Sequence, residues 1–243
     1  MKIHADIVQG TQEWRRLRAG IPTASAFDNI VTPTGKKSTQ DEKYRFMLLA
    51  ERMMGHPIDD SKSKWMLRGQ DMEGEARAFY EFQRDLPVEL IGFVTNDAGT
   101  IGASPDAFVG DEGTLEIKCP SEAIHVSYLL KKSVDAAYYP QVQGQLWITE
   151  RKWADILSYH PELPPALIRV ERDEPFIKTL SELVTAFSEE LEKQFLILVE
   201  RGWVTENPKK PAMPAGGVPI EPLPDLETLV KSALLSGQRP PHW

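Results

Sequence analysis

The sequence predicts an α/β fold in which a central mixed β-sheet is flanked by helices. Three observations predict it. Apolar residues recur at helical spacing up to about residue 83. Short β-like segments, punctuated by Asp97-Ala98-Gly99 and Gly110-Asp111-Glu112-Gly113, fill 88–119. Helical and strand patterns then alternate to about residue 201. That order (helices, a meander, then helix, strands and helix) is that of a layered domain with helices packed on a sheet.

The elements follow in chain order. Residues 11–19 read as a short helix stopped by Gly20, and Thr23 or Ser25 can cap a second segment reaching Ile30. A loop at 35–38 leads to a helix over 39–54, with Tyr44, Met47, Leu48 and Ala50 at helical spacing and Gly55 as its stop. Residues 62–83 form a longer helix, with Trp65, Met66, Met72, Ala76, Phe79 and Tyr80 as apolar positions. Residues 88–95, 100–103, 106–109 and 114–119 read as strands. Residues 122–132 return to helix, and Pro140 suits the first turn of another that runs to about Thr149. Residues 154–160 and 166–172 read as strands, and 174–201 as a long amphipathic helix. One domain over 1–203 is expected, followed by a tail over 204–243 crowded with prolines from Pro208 to Pro224. Within it, 225–236 has the pattern of a short amphipathic helix, whose apolar face needs a surface on this chain, a neighbouring subunit or another protein.

Composition limits the functional classes. Hydrophobic residues make up 41% and charged residues 26% of 243 positions, which suits a water-soluble core. No apolar run reaches the ~18 residues of a membrane span, and the first residues lack a secretory signal pattern, so cytoplasmic residence is expected. Cys119 is the lone cysteine, which excludes an intrachain disulfide and a four-cysteine iron–sulfur cluster. The net charge of −8 argues against a nucleic-acid partner if taken alone. The stretch 14–53, however, carries +4 and the remainder −12, so a local basic groove remains available to phosphate.

The chemistry lies in Ser104-Pro105-Asp106 and, nine residues after Asp106, Glu116-Ile117-Lys118. A turn between two strands can bring Asp106 beside Glu116. Strand alternation then puts Glu116 and Lys118 on one face and points Ile117 to the core. Mg²⁺ takes carboxylate oxygens, carbonyls and water. Asp106, Glu116 and the Ile117 backbone carbonyl are therefore candidate ligands, with Lys118 beside the attacking water or the phosphate. On spacing alone, a hairpin with a surface ion pair fits as well. Glu73, one turn after Gly69 on the preceding helix, can reach the same metal through water. Gln141-Val142-Gln143 offers two amides for a polar site wall. His4, His56, His125, His160 and His242 lack metal-ligand spacing, and His125 reads as a packing residue. Cys119 reads as a small core residue, and Trp14 and Trp65 as core aromatics, with base stacking as their alternative use.

Beyond these local readings, the chain resembles the lambda exonuclease family, the YqaJ-like viral recombinases of the D-(D/E)-x-K nuclease superfamily. The resemblance spans roughly residues 9–201 and rests on QGTQEWRRLRAGIPTAS, RGQDMEGEAR, GASPDAFVG, LEIKCP, YYPQVQGQLWIT and VERDE, in that order. It implies a restriction-endonuclease-like core with Asp106 and Glu116 on the metal and Lys118 assisting the attacking water. Glu73 is then the acid near a second metal, and Gln143 the glutamine completing the site. It further implies that Arg18 receives a 5′-phosphate, with Thr23, Ser25 and Ser104 as nearby hydroxyls and Met66 as a wedge in the terminal base pair. Lys36 and Lys37 would contact DNA from the 33–38 loop, which is shorter and less basic than in the lambda protein.

The activity so implied is a Mg²⁺-dependent 5′→3′ exonuclease of linear duplex DNA, with Mn²⁺ able to substitute. Its product is a 3′ single strand for annealing-type recombination. The implied protein is a ring-shaped homotrimer of phage or prophage origin, working with a single-strand annealing protein. A restriction-like or structure-specific endonuclease, and a catalytically silent DNA-binding module, are the competing expectations.

Overall fold

A computed structural model of the chain describes residues 1–58, 64–133 and 135–204, with side chains throughout except at 64–71. The Met66 wedge and all but the first residue of the 204–243 tail therefore lie outside the described residues. After strand β1 (Lys2–His4), helix α1 (Gln12–Arg18) starts at Thr11, whose hydroxyl accepts the Trp14 N–H. The expected second helix is a 3₁₀ segment, Ala24–Asn29. Thr23 precedes it without a side-chain cap bond, and its hydroxyl instead accepts from Arg18. Helix α2 (Asp41–Met54) ends on Gly55 at φ 71°, the left-handed stop that its sequence forecast. Helix α3 (Lys64–Arg84) follows.

The meander supplies β2 (Val88–Leu90), β3 (Phe93–Thr95), β4 (Gly102–Ala103), β5 (Ala107–Val109) and β6 (Gly113–Lys118). Helices α4 (Glu122–Lys131) and α5 (Tyr139–Thr149) cross over to β7 (Trp153–Ser158). Strand β8 (Ala166–Glu171) and α6 (Glu174–Glu200) complete the order. The main sheet runs β2-β5-β6-β7-β8 and is antiparallel except where β6 pairs parallel with β7. It is the central mixed sheet with flanking helices that the sequence predicts.

Residues 88–95 were expected as one strand, but they divide between two sheets: β2 edges the main one, and β3 lies between β1 and β4 in a second. The break falls at Gly92, where a Cβ would sit 1.8 Å from the Ile7 carbonyl oxygen. Only a glycine admits that backbone approach. Strand β1 itself has no apolar alternation, because its first two residues are both exposed, so periodicity could not reveal it.

Packing decides where β6 can work. Helix α3 lays Ala76 and Tyr80 on Leu115, Ile117 and Leu157. Helix α5 lays Val142 and Leu146 on Ala154 and Ile156. Each fully buried Leu or Ile contributes about 1.5–3 kcal/mol, so these two layers hold the sheet between helices. A buried carboxylate pins α3 further. Asp155 of β7 accepts from Tyr80 (2.8 Å), Arg84 (2.9 Å) and Arg169 (2.8 Å). Those donors hold its carboxyl below the usual range against the desolvation that opposes them. No helix among the described residues is long and apolar enough to cross a membrane.

Candidate active site

The β5–β6 hairpin pairs Ala107 with Leu115, so the next step of the register sets Asp106 against Glu116. Backbone bonds fix the arrangement: the Asp106 N–H donates to Leu115 O at 3.1 Å, and the Ile117 N–H donates to Asp106 Oδ2 at 2.5 Å. Glu116 is 4% exposed and faces α5. Its Oε1 accepts from Lys118 Nζ (2.7 Å) and Gln141 Nε2 (2.6 Å), and its Oε2 from Gln145 Nε2 (2.6 Å). Lys118 lies over the Tyr138 ring, 4.6 Å from its centroid. Strand β6 is buried from Gly113 to Ile117 and Lys118 keeps 22% of its side chain exposed, so the Glu116–Lys118 pair sits in a recess rather than on the open surface.

The electrostatics follow from this crowding. Desolvation, then repulsion from Glu116, push the Asp106 carboxyl well above the usual carboxylate range, against the Ile117 N–H. Glu73 is half-buried on α3 and is also raised, by desolvation first and then by Glu116, with Arg77 opposing. Lys118 loses solvation too, yet Glu116 and Asp106 outweigh that loss and move its ammonium upward. It is therefore held as a cation. Two carboxyls, Asp106 and Glu73, whose ionisation is disfavoured beside a fixed cation suit a site built for additional positive charge.

Among the described residues, no three His, Cys, Asp or Glu side chains converge closely enough to hold an ion by themselves. Glu73 reaches the pair through its field, without direct contact. Mg²⁺ binds through one or two carboxylates and fills its remaining positions with water and substrate oxygens. Asp106 and Glu116, with the adjoining Ile117 carbonyl, fit that donor set.

A second cluster surrounds Arg18. Its Nη1 donates to Ser104 Oγ (2.9 Å), and its Nη2 to Thr23 Oγ1 (3.3 Å) and Ser25 Oγ (3.0 Å). The guanidinium stacks on Trp14, 4.2 Å from the ring centroid, and the Trp14 indole N–H donates to Gly92 O and Ser104 Oγ. Desolvation pulls Arg18 down to about 10, while Tyr44, Glu116 and Glu51 act in the other direction. It remains a cation at neutral pH, within the field of Glu116. The cluster opens on a cavity of about 780 Å³ whose wall includes Arg15, Arg16, Met47 and Ile58.

The structure thus brings together Asp106, Glu116 and Lys118, with Glu73 nearby, and separately Arg18, Thr23, Ser25 and Ser104. It does not bring Gln143 to the carboxylates. Gln143 is fully buried, donates to Glu171 O and accepts from the Asp173 N–H, so its amide is committed to the chain before α6. Gln141 and Gln145 stand there instead, one helical turn apart on one face. Lys36 and Lys37 are exposed on the turn before α2, where Lys37 pairs with Asp41 at 2.9 Å. Trp14 belongs to the Arg18 cluster rather than to a core. His125 does pack: it is fully buried and bonded to Ser158 Oγ and Pro164 O. Cys119 packs against the α3 side of the sheet.

Residues 13–152 match the family of the YqaJ-like viral recombinase domain. An alkaline exonuclease from Laribacter hongkongensis, LHK-Exo, is 31% identical with a TM-score of 0.72, covering 79% of this chain and 98% of its own. The same enzyme in complex with dAMP matches at 31% identity and a TM-score of 0.71, with the same coverage. A phage-related exonuclease from Haemophilus somnus 129PT shares the fold at 16% identity and a TM-score of 0.60, covering 74% of this chain and 96% of its own. None of the curated proteins matches the sequence.

Proposed function

The chain belongs to the YqaJ-like viral recombinase family, and on that premise we propose that it is a Mg²⁺-dependent 5′→3′ exonuclease. Its substrate is linear duplex DNA and its product a 3′ single strand for annealing-type recombination. The family and the exonuclease neighbours support a nuclease role. The observation that carries the polarity is the position of Ser104. It joins the Arg18 cluster, and two residues later the same segment delivers Asp106, a separation of about 7 Å along extended chain. A terminal phosphate seated on Arg18 would therefore set a nearby phosphodiester against the carboxylates.

In this reading Asp106, Glu116 and the Ile117 carbonyl hold the cation. When bound, it supplies positive charge to the scissile phosphate and makes water a stronger nucleophile. Lys118, fixed by Glu116 and Tyr138, orients the attacking water and balances charge developing on the phosphate. Gln141 keeps the Glu116 carboxylate aimed into the site. Arg18 offers a guanidinium to the terminal phosphate, and Ser104 together with one of the mutually bonded pair Thr23 and Ser25 can donate a hydroxyl proton to it. The raised Asp106 carboxyl must be ionised to bind metal, which favours activity at higher pH; the 31%-identical relative is described as an alkaline exonuclease.

The basic bias of 14–53 in a chain of net charge −8 fits a homotrimeric ring in which only the channel lining need attract DNA. A single-strand annealing protein is the partner that such a product calls for. One comparison tests the function: 5′-phosphorylated linear duplex against closed circular duplex with Mg²⁺. Digestion of the linear DNA alone, releasing mononucleotides from 5′ ends, is expected. Cleavage of the circle would instead assign an endonuclease, and no cleavage of either a silent binding module.

A further inference from the structure

We propose that Gln145 is a positioning residue of this site: its side-chain amide fixes the plane in which Glu116 presents its oxygens to a divalent cation. This rests on the reading that Glu116 is a metal ligand. A glutamate's terminal torsion is broad and nearly two-fold, so a carboxylate held at one oxygen can still turn. Lys118 and Gln141 both bind Oε1. Among the described residues, Gln145 alone donates to Oε2, at 2.6 Å. It comes from α5 whereas Lys118 comes from β6, so donors from two elements grip the two ends of one carboxylate.

A second observation separates orientation from mere packing. Gln145 is 1% exposed, and its Oε1 is buried without a hydrogen-bond partner in the described structure. Leaving a buried acceptor unpaired is unfavourable, and native structures rarely tolerate it without reason. Reversing the amide would not relieve it, because the oxygen would then face the Glu116 carboxylate. A methionine has similar length and no orphaned atom, and it would suit a buried position on α5 that reaches β6. Gln145 therefore holds a site where fold stability alone favours an apolar residue, and among the described residues the one hydrogen bond of its side chain goes to Glu116. Outer partners of ligating carboxylates typically tune metal affinity 10- to 100-fold.

The test uses the full chain and two substitutions, Gln145→Met and Gln145→Leu, beside wild type and Glu116→Ala. Mg²⁺ binding is followed by calorimetry, melting temperature without metal by scanning, and duplex binding in EDTA by anisotropy. For Gln145→Met the expected result is Mg²⁺ affinity reduced roughly 10- to 100-fold, an unchanged or higher metal-free Tm, and unchanged duplex binding. Gln145→Leu is read in its place if the methionine is not accommodated. Wild-type Mg²⁺ affinity in a folded variant overturns the inference while leaving the site reading intact, provided Glu116→Ala loses metal. Loss of fold in both variants overturns it too, because the role is then structural. If Glu116→Ala binds Mg²⁺ like wild type, the site reading and the inference fall together.

Discussion

Arg18→Ala should abolish the preference for 5′-phosphorylated over 5′-hydroxyl ends. A guanidinium has five N–H donors. In this structure three hydrogen bonds to Ser104, Thr23 and Ser25 engage both Nη atoms. Among the described residues that leaves Nε–H and one Nη1–H without a partner, and an arriving phosphate can take a full fork by displacing a hydroxyl from Nη2. The three hydroxyls accept from Arg18; one proton is shared between Thr23 and Ser25 at 3.3 Å, and the other hydroxyl protons can join the same anion. Desolvation has already lowered Arg18 to about 10, so the terminal phosphate's extra charge restores an environment that its burial removed. Hydrogen bonds to charged groups contribute roughly 1.5–3 kcal/mol, and each 1.4 kcal/mol is about tenfold. Wild type should therefore prefer the phosphorylated end by roughly ten- to a hundredfold, and the variant by about one. Single-turnover digestion of matched duplexes differing only at the 5′ terminus measures this. Equal loss on both ends, or an undiminished preference, would refute the pocket. Arg18→Lys keeps the charge but not the fork and should recover only part of the discrimination.

Lys118→Ala should lose turnover by at least a hundredfold while Mg²⁺ and duplex binding persist, which single-turnover rates and calorimetry separate. Asp106→Asn should raise the metal-free Tm at neutral pH. The folded Asp106 pKa lies above its unfolded value, so the stability it confers is present at acid pH and is lost as pH rises through the folded value. The gap between variant and wild type should close toward about pH 4, and a constant gap across that range would contradict the burial argument. Asp155→Asn should behave in the opposite sense. Its lowered carboxyl confers stability above the unfolded pKa that disappears as pH falls through the folded one. Arg84 and Arg169 are 37% and 41% exposed, which screens their share. A loss of about 2 kcal/mol at pH 7 is expected, shrinking below about pH 4 in urea titrations.

The parts legible in the sequence were those set by short-range geometry. Alternation put Glu116 and Lys118 on one face, and a short hairpin set Asp106 opposite Glu116. The glutamines of α5 show where such reasoning ends. Val142 and Leu146 form the buried stripe. Gln141 lies about 100° to one side of Val142 and Gln143 about 100° to the other. Nothing local says which flank meets β6; only the packing of α5 against the sheet decides for Gln141 and Gln145. Trp14 was ambiguous for a similar reason. Its ring is as apolar as any core residue, and its role came from Arg18 four positions later on the same short helix. Splitting 88–95 between two sheets depended on the close approach of Ile7 to Gly92, a contact across the fold that periodicity cannot report.

The hairpin and the crossover differ in what each asks of an unfolded chain. Asp106 and Glu116 meet by closing a loop of a few residues, whereas Gln141 and Gln145 return to Glu116 across separations of 25 and 29. Loop-closure entropy grows with length, so the contact that crowds negative charge is the easier to form, and those that brace it are harder. A fragment ending before α5 would hold its acids together with neither amide donor. The parallel junction of β6 with β7 is thus also the closure that completes the carboxylate's hydrogen-bonding, linking assembly of the sheet to relief of the charge within it.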